Sequence, residues 1–443
     1  MAEPANEDPA TAAFAGSKPE DWMYIAEGAL NLATRYAGDD DRLRGCVLRV
    51  RKDNPEASGG KSGESNPWRE SMQFLDRVIL PLLGRRYVQP AVEVPLPQGY
   101  IEALGAHIEP SRPEKRRKHT LDMGLKTGLL MLDNTAIPTG EGPSICFELK
   151  VKCGFIPETC PFITHDIKRK VDRFTMHQAL KNEKGKLDTL SKYNPTDLFS
   201  YDRDRVLQAL DALVDTPQNN FRMFVDGKMV FPDSKGHGSR ADLAEILQDY
   251  PALKDGGVDG LLAALANILV QEPLLRRLQR MQEMDDCDIE AAWPIYQEIL
   301  ARGETVQPLA EGDSILPRAP PATLPKEPAA QHDLVRRFLL SCTAKDCSTM
   351  IVLKPSAGNK EPENVPTSPD LPVTDDKVSR TIVDGVGPFM YSIAIVDLDP
   401  KPIEKMEHWF TLDKKIAEFY AAKMATPEKD DASAPLAQGP GSS

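Results

Sequence analysis

The chain has 443 residues, 41% of them hydrophobic, which is enough to bury a full core and to divide into two lobes or domains. Its formal net charge of −13 argues against a nucleic-acid binder acting through bulk electrostatics, and leaves room for a local basic pocket. The seven cysteines show no disulfide spacing and no CxxC, so reduced thiols and a cytoplasmic and/or nuclear location are expected. The first twenty residues lack a charged segment followed by an apolar one, and the longest apolar run, 261–270, is too short to span a bilayer. Neither a secretory leader nor a membrane partner is expected.

In chain order, 1–20 and 426–443 are rich in Ala, Pro, Gly and Ser and are predicted to be disordered tails. Residues 22–51 read as strand, glycine-containing turn and strand, helped by the apolar CVLRV. A helical stretch follows at 68–83, with Pro81 tolerated only near its end. A strand at 145–151 opens a second part. Apolar residues at i, i+3, i+4 spacing predict helices over 202–214, 241–250, 258–270, 273–284 and 289–301. Recurrent prolines make 302–330 a linker or surface excursion. Beyond it come a helix over 334–342, the strand TMIVL, a proline-rich loop over 354–376, a strand over 390–396 and an amphipathic helix over 407–422.

Five clusters bear on chemistry. In ELKVKCGFIP, 148–157, Glu148, Lys150 and Lys152 would share one face of a strand, suiting a cleft for an anion. Lysines on a strand more often mark a solvated face, so the run alone is ambiguous. In RFTMHQALK, Arg173, His177 and Lys181 stand at i, i+4, i+8 and would stack along one helix face, as an ordinary solvated face also would. Asp346, between a helix and an apolar strand, occupies a place common to catalytic carboxylates and to turn residues. Asp397 ends an apolar strand, the placement that presents a carboxylate to magnesium in phosphoryl transfer. Lys401 and Lys405 follow it, and basic groups beside a metal-binding Asp imply a polyanion between them. In TPQNNFR, 216–222, amides beside Arg222 can donate to phosphate oxygens or simply form a turn.

Two weaker signals complete the picture. YIAEGALN, 24–31, has the place of a phosphate-covering loop but holds only Gly28, and Arg49 on the next strand is a phosphate contact by position. The basic run 114–119 reads as a solvated loop, with nuclear import as the alternative.

Taken in this order, DWMY, AEGALN, VLRV, PLLG, ELKVKCGFIP, RFTMHQALK, DLFS, TPQNNFR, TAKDCSTMI and DLDPKPIEKMEHWFTLDKKIAEFY resemble the inositol-pentakisphosphate 2-kinase family, particularly its plant members. The resemblance runs from Trp22 to about Tyr420. It implies an α+β, two-lobed kinase-like fold, with a smaller N-lobe over 21–145 and a C-lobe with a helical insertion over 146–425. It also implies ATP- and magnesium-dependent phosphorylation of the axial 2-hydroxyl of inositol 1,3,4,5,6-pentakisphosphate, giving the hexakisphosphate, phytate. Such a substrate carries on the order of −8 to −10 charges, which gives Lys150, Lys152, Arg173, Lys181, Lys401 and Lys405 one shared purpose. By the resemblance His177, Asn220 and Arg112 join them. Asp346 matches the catalytic base, and Asp397 the residue for magnesium and nucleotide phosphates. Glu27, Gly28, Asn31, Arg49 and Glu148 fall on the nucleotide side. The partners implied are ATP and inositol pentakisphosphate, and a monomer is expected.

The sequence departs from the family pattern in three places. Ala26, Ala29 and Leu30 replace part of a loop that usually reads close to GEGxAN, and a Cβ there can block approach to phosphate. The region 293–330 has no Cys or His, so the structural zinc of plant members is not expected. Lys405 and Trp409 replace a basic residue and a Tyr, keeping the charge but losing the Arg fork and the Tyr hydroxyl. A catalytically impaired binding protein and a kinase of different regiochemistry therefore stay open as alternatives.

Overall fold

The computed structural model describes residues 9–28, 30–53, 68–88, 91–137, 141–307, 318, 320–356, 378–383 and 387–425. The protein is α+β, with helices set around two antiparallel sheets. The first sheet has five strands: β1 (Trp22–Glu27), β2 (Asn31–Tyr36), β3 (Cys46–Arg51), β4 (Val92–Pro95) and β5 (Thr127–Leu132), in spatial order β1-β2-β3-β5-β4. Thus 22–51 yields three strands where two were expected. Alternation in β3 sends Cys46, Leu48 and Val50 into a core with Trp22, Leu32, Leu104 and Leu129.

The expected N-terminal tail is partly corrected. Pro9–Ala15 is a helix, because Ala10, Ala13 and Phe14 fall on one face and bury against this core. Phe14 packs its ring 5.9 Å from Trp22 and 5.4 Å from Tyr100. Residues 1–8 and 426–443 lie outside the described residues, as do most of the proline-rich 354–376 and 308–317 of the other proline-rich stretch.

The second sheet has six strands: β6 (Ile145–Leu149), β7 (Phe221–Val225), β8 (Lys228–Phe231), β9 (Ser348–Pro355), β10 (Val378–Val383) and β11 (Gly387–Val396). Their order is β10-β11-β9-β6-β7-β8. One face of it shares a large apolar core with the helices Arg203–Asp215, Gly257–Gln271 and Leu274–Gln282. The helical run 69–83 contains a π-helical stretch at Leu75–Ile79, and its Val78, Ile79 and Leu83 enter this second core rather than the first. Tyr87 beyond it accepts a hydrogen bond from Ile395 of β11 at its carbonyl (2.8 Å), so the segment that leaves the first sheet is stitched to the second. No single helix among the described residues is long and apolar enough to cross a membrane.

Candidate active site

Antiparallel register gathers the site at one end of the second sheet. β6 ends at Leu149, paired with Thr349 of β9 and Phe221 of β7, while Val396 of β11 pairs with Ser348 of β9. Lys150, Asn220, Asp346 and Asp397 therefore leave four neighbouring strands at the same edge, although they are up to hundreds of positions apart in the sequence. The Lys150 amide donates to the Asn220 carbonyl at 2.9 Å.

One geometric expectation is corrected here. The strand that would have aligned Glu148, Lys150 and Lys152 stops at Leu149, and Lys152 has left-handed backbone (φ 60°). The chain turns, and the lysines converge by that turn rather than by strand alternation. Asp397 is also left-handed (φ 65°), so two of the six non-glycine residues with positive φ among the described residues stand in this site. Gly154 just beyond packs so closely on the Phe199 ring that no side chain fits there.

A buried amide secures the turn. Gln282 at the end of the Leu274–Gln282 helix donates to the Lys152 carbonyl at 2.8 Å and the Ala344 carbonyl at 3.1 Å. It accepts from the Gly154 amide at 2.7 Å. One side chain thus ties the lysine turn to the loop that carries Asp346. Lys345 in that loop reaches Asp285 at 2.7 Å with its ammonium over the Phe155 ring.

The Asp346 carboxylate is 65% exposed and accepts from Lys401 Nζ at 2.6 Å. Partial burial pushes its carboxyl up, but Lys401, then Lys152 and Lys150, outweigh this and hold it below the usual range, so it is ionised at neutral pH. Lys150 Nζ lies 3.9 Å from Glu148 and 4.0 Å from Asp397. Glu148 in turn accepts from Arg222 at 2.8 Å and from the Ser348 hydroxyl at 2.9 Å. Surrounding protein raises the Asp397 carboxyl, and Glu148 and Asp399 add to this against the pull of Lys150 and Arg49. The Asp397 side chain is 63% exposed and offers hard carboxylate oxygens of the kind magnesium takes, with Lys150 at 4.0 Å as its neighbouring cation.

Across the site the Arg173–Glu183 helix begins at Asp172, whose carboxylate caps the Thr175 amide at 2.9 Å. It brings Arg173, His177 and Lys181 together as the spacing predicted. Burial, then Lys181, Arg173 and Lys152, push the His177 imidazole down to about 3, so it is neutral. Burial and Arg173 also lower Lys181. Burial brings Lys152 down to about 8, with Asp346 opposing and Lys150 and Lys181 assisting. These cations are held closer together than they would choose. Asn220 is buried with its side-chain oxygen unpartnered, and Lys405 stands exposed in the turn before the Met406–Ala425 helix.

On the nucleotide side, Arg49 pairs with Asp399, a residue the sequence reading passed over, and so joins the first sheet to the end of the second. With its amide oxygen turned toward Arg49, Asn31 accepts from Nε at 3.2 Å. Gly28 closes the β1–β2 hairpin, its amide donating to the Asn31 carbonyl at 2.9 Å, with open space where a Cβ would stand. Ala29 lies outside the described residues.

The structure pairs Glu27, expected on the nucleotide side, with Arg112, expected at the substrate. Glu27 and Arg112 face each other: the buried Glu27 carboxylate accepts from Arg112 at 3.0 Å and from Lys52 at 2.7 Å. Arg112 also donates from Nη1 to Glu109 and from Nη2 to the carbonyls of Arg116 and His119. Both hold the first sheet to the loop after the Tyr100–Ile108 helix; Arg112 is not brought to the lysine cluster, and Glu27 stays next to Gly28 at the end of β1.

The sequence model of the inositol-pentakisphosphate 2-kinase family matches residues 24–415. The chain belongs to this family. It is 33% identical over 434 residues to an inositol-pentakisphosphate 2-kinase of Oryza sativa subsp. indica, covering 90% of this chain and 93% of the relative. The enzyme of that name from Arabidopsis thaliana is 30% identical over 440 residues (91% and 94%), and that from Danio rerio 26% over 480 residues (92% and 94%).

Proposed function

We propose that the protein transfers the γ-phosphate of ATP to the 2-hydroxyl of inositol 1,3,4,5,6-pentakisphosphate, giving the hexakisphosphate. The observation that carries this reading is the ionised Asp346 carboxylate, reachable from solvent and ringed by Lys401, Lys152 and Lys150. The lysines and the Arg173–Lys181 row bind the phosphates and orient the ring, leaving the one free hydroxyl near Asp346. Asp346 takes the hydroxyl proton as the oxygen attacks. Asp397 would hold magnesium, which when bound neutralises charge on the transferring phosphoryl group. Arg49, Asn31 and the Gly28 hairpin face the nucleotide. The two sheets serve as N-lobe and C-lobe of a kinase-like fold, joined beside the site by Arg49–Asp399 and, at the far end of β7, by Arg35, which donates to the Asp226 carbonyl at 2.8 Å. No observation favours a non-catalytic binding protein or an altered regiochemistry.

The test is a time course with magnesium-ATP and the pentakisphosphate, products separated by anion exchange. A hexakisphosphate peak should grow with wild-type protein. In Asp346→Asn, kcat should fall about 10²–10⁴-fold while the Kd for pentakisphosphate stays within a few-fold. Unchanged turnover in that variant would remove Asp346 as the base, and absence of product with wild type would refute the reaction.

A further inference from the structure

A second dense group of charges lies beside the lysine cluster. Lys168 Nζ stands 2.5 Å from Asp288, 3.0 Å from Glu290 and 2.6 Å from Asp413 Oδ2. The three carboxylates are close enough to one another to hold a metal ion, and the ammonium group lies among them instead. The other oxygen of Asp413, Oδ1, accepts from Arg173 Nε at 3.1 Å. Asp413 is buried, with its side chain 8% exposed, whereas that of Arg173 is 43% exposed. The guanidinium is thus fastened at its inner nitrogen by a buried anchor. Its two outer nitrogens make no hydrogen bond among the described residues.

We propose that Asp413 is a positioning residue for the substrate: anchored by Lys168, it fixes Arg173 so that its outer nitrogens present a fork to one phosphate of the pentakisphosphate. This rests on the proposed function. Arg173 shares its neighbourhood with Lys181 and Lys152, and repulsion would swing an untethered guanidinium out into water. A carboxylate on Nε opposes that swing and leaves free the pair of N–H groups that matches a phosphate edge. Because Asp413 is itself gripped by Lys168, the tether has one orientation, and the ordering of the arginine is settled before the substrate arrives.

The test is a double-mutant cycle on the full chain, with Asp413→Ala, Arg173→Ala and both together. The Kd for pentakisphosphate is read by calorimetry without ATP, and the KM for ATP by turnover. Asp413→Ala should weaken pentakisphosphate about five- to twentyfold in the wild-type background and less than about twofold in the Arg173→Ala background, with the KM for ATP unchanged. An equal loss in both backgrounds, or none in the first, overturns the proposal. Should Asp413→Ala misfold, the isosteric Asp413→Asn runs the same cycle. Because the readout is binding, wild-type protein that binds but does not phosphorylate would refute the proposed reaction while the cycle still decides the role of Asp413.

Discussion

Raising the pH should loosen the grip on pentakisphosphate through Lys152. Burial is the main cause that brings its ammonium down to about 8, with Lys150 and Lys181 adding repulsion and Asp346 partly opposing. A group titrating there is about 0.9 protonated at pH 7 and about 0.1 at pH 9. If only the ammonium form binds, apparent affinity falls about tenfold over that interval, because the competent fraction falls by that factor. The complex holds the proton, since phosphate beside Lys152 raises its pKa, so binding should take up about half a proton at pH 8 and nearly one at pH 9. Calorimetry at fixed ionic strength, in buffers of different ionisation enthalpy, reads both quantities. The substrate's own phosphates titrate equally against any variant, so the comparison with Lys152→Met isolates the lysine. The variant should bind more weakly at pH 7 and lose this extra proton uptake, whereas Lys152→Arg should keep its charge to high pH and lose the extra uptake while retaining affinity. Parallel pH profiles for wild type and Lys152→Met would refute the reasoning. The ligand-free protein should show the opposite trend: a lysine depressed by folding makes stability rise as pH climbs from about 8 toward the ordinary value of about 10.4.

Two further outcomes test the framework of the site. Gly154→Ala should lower stability by about 1–3 kcal/mol, because the added methyl must displace the Phe199 ring; an unchanged Tm would show that the ring yields freely. Lys168→Met should cost about 3–5 kcal/mol at neutral pH by leaving Asp288, Glu290 and Asp413 without their shared cation. Thermal unfolding in a pH series should show the deficit shrinking on acidification, as protonation removes the repulsion, and a deficit independent of pH would argue for packing instead.

What could be read from the sequence was what local periodicity or a compact motif encodes. The helices Arg203–Asp215, Gly257–Gln271 and Asp288–Ala301 follow their apolar spacing closely, because each buries one face. Asp346 and Asp397 stand at strand ends as expected, and the Arg173–Lys181 row lies on one helix. The helix Pro9–Ala15 was masked by a composition typical of tails, although Phe14 at i+4 from Ala10 was the signal. β10 was hidden beside proline-rich sequence, since VSRTIV alternates too weakly to stand out. Lys168, Asp413, Gln282 and Asp399 were not legible because their roles arise from partners far along the chain. Lys168 meets Asp413 across 245 positions, and no periodicity reports a contact of that separation.

The way charges alternate in the site bears on product release. Half of the six cations assigned to the substrate already have a carboxylate neighbour, Lys401 on Asp346, Lys150 between Glu148 and Asp397 and Arg173 on Asp413, and so does Arg49 on the nucleotide side, on Asp399. Only Lys152, His177 and Lys181 show the lowered pKa values of groups crowded by like charge and burial. A pocket of unpaired cations would bind the pentakisphosphate tightly and the hexakisphosphate more tightly still, since each phosphate brings about −1.5 to −2 further charges. Interleaved carboxylates oppose that order. On the proposed reaction the new phosphate forms beside Asp346, so repulsion from that carboxylate, once it has released the proton it took, acts on the product and is absent for the 2-hydroxyl of the substrate. On the proposed reaction, the carboxylate that takes the proton therefore also weakens the site's hold on the product.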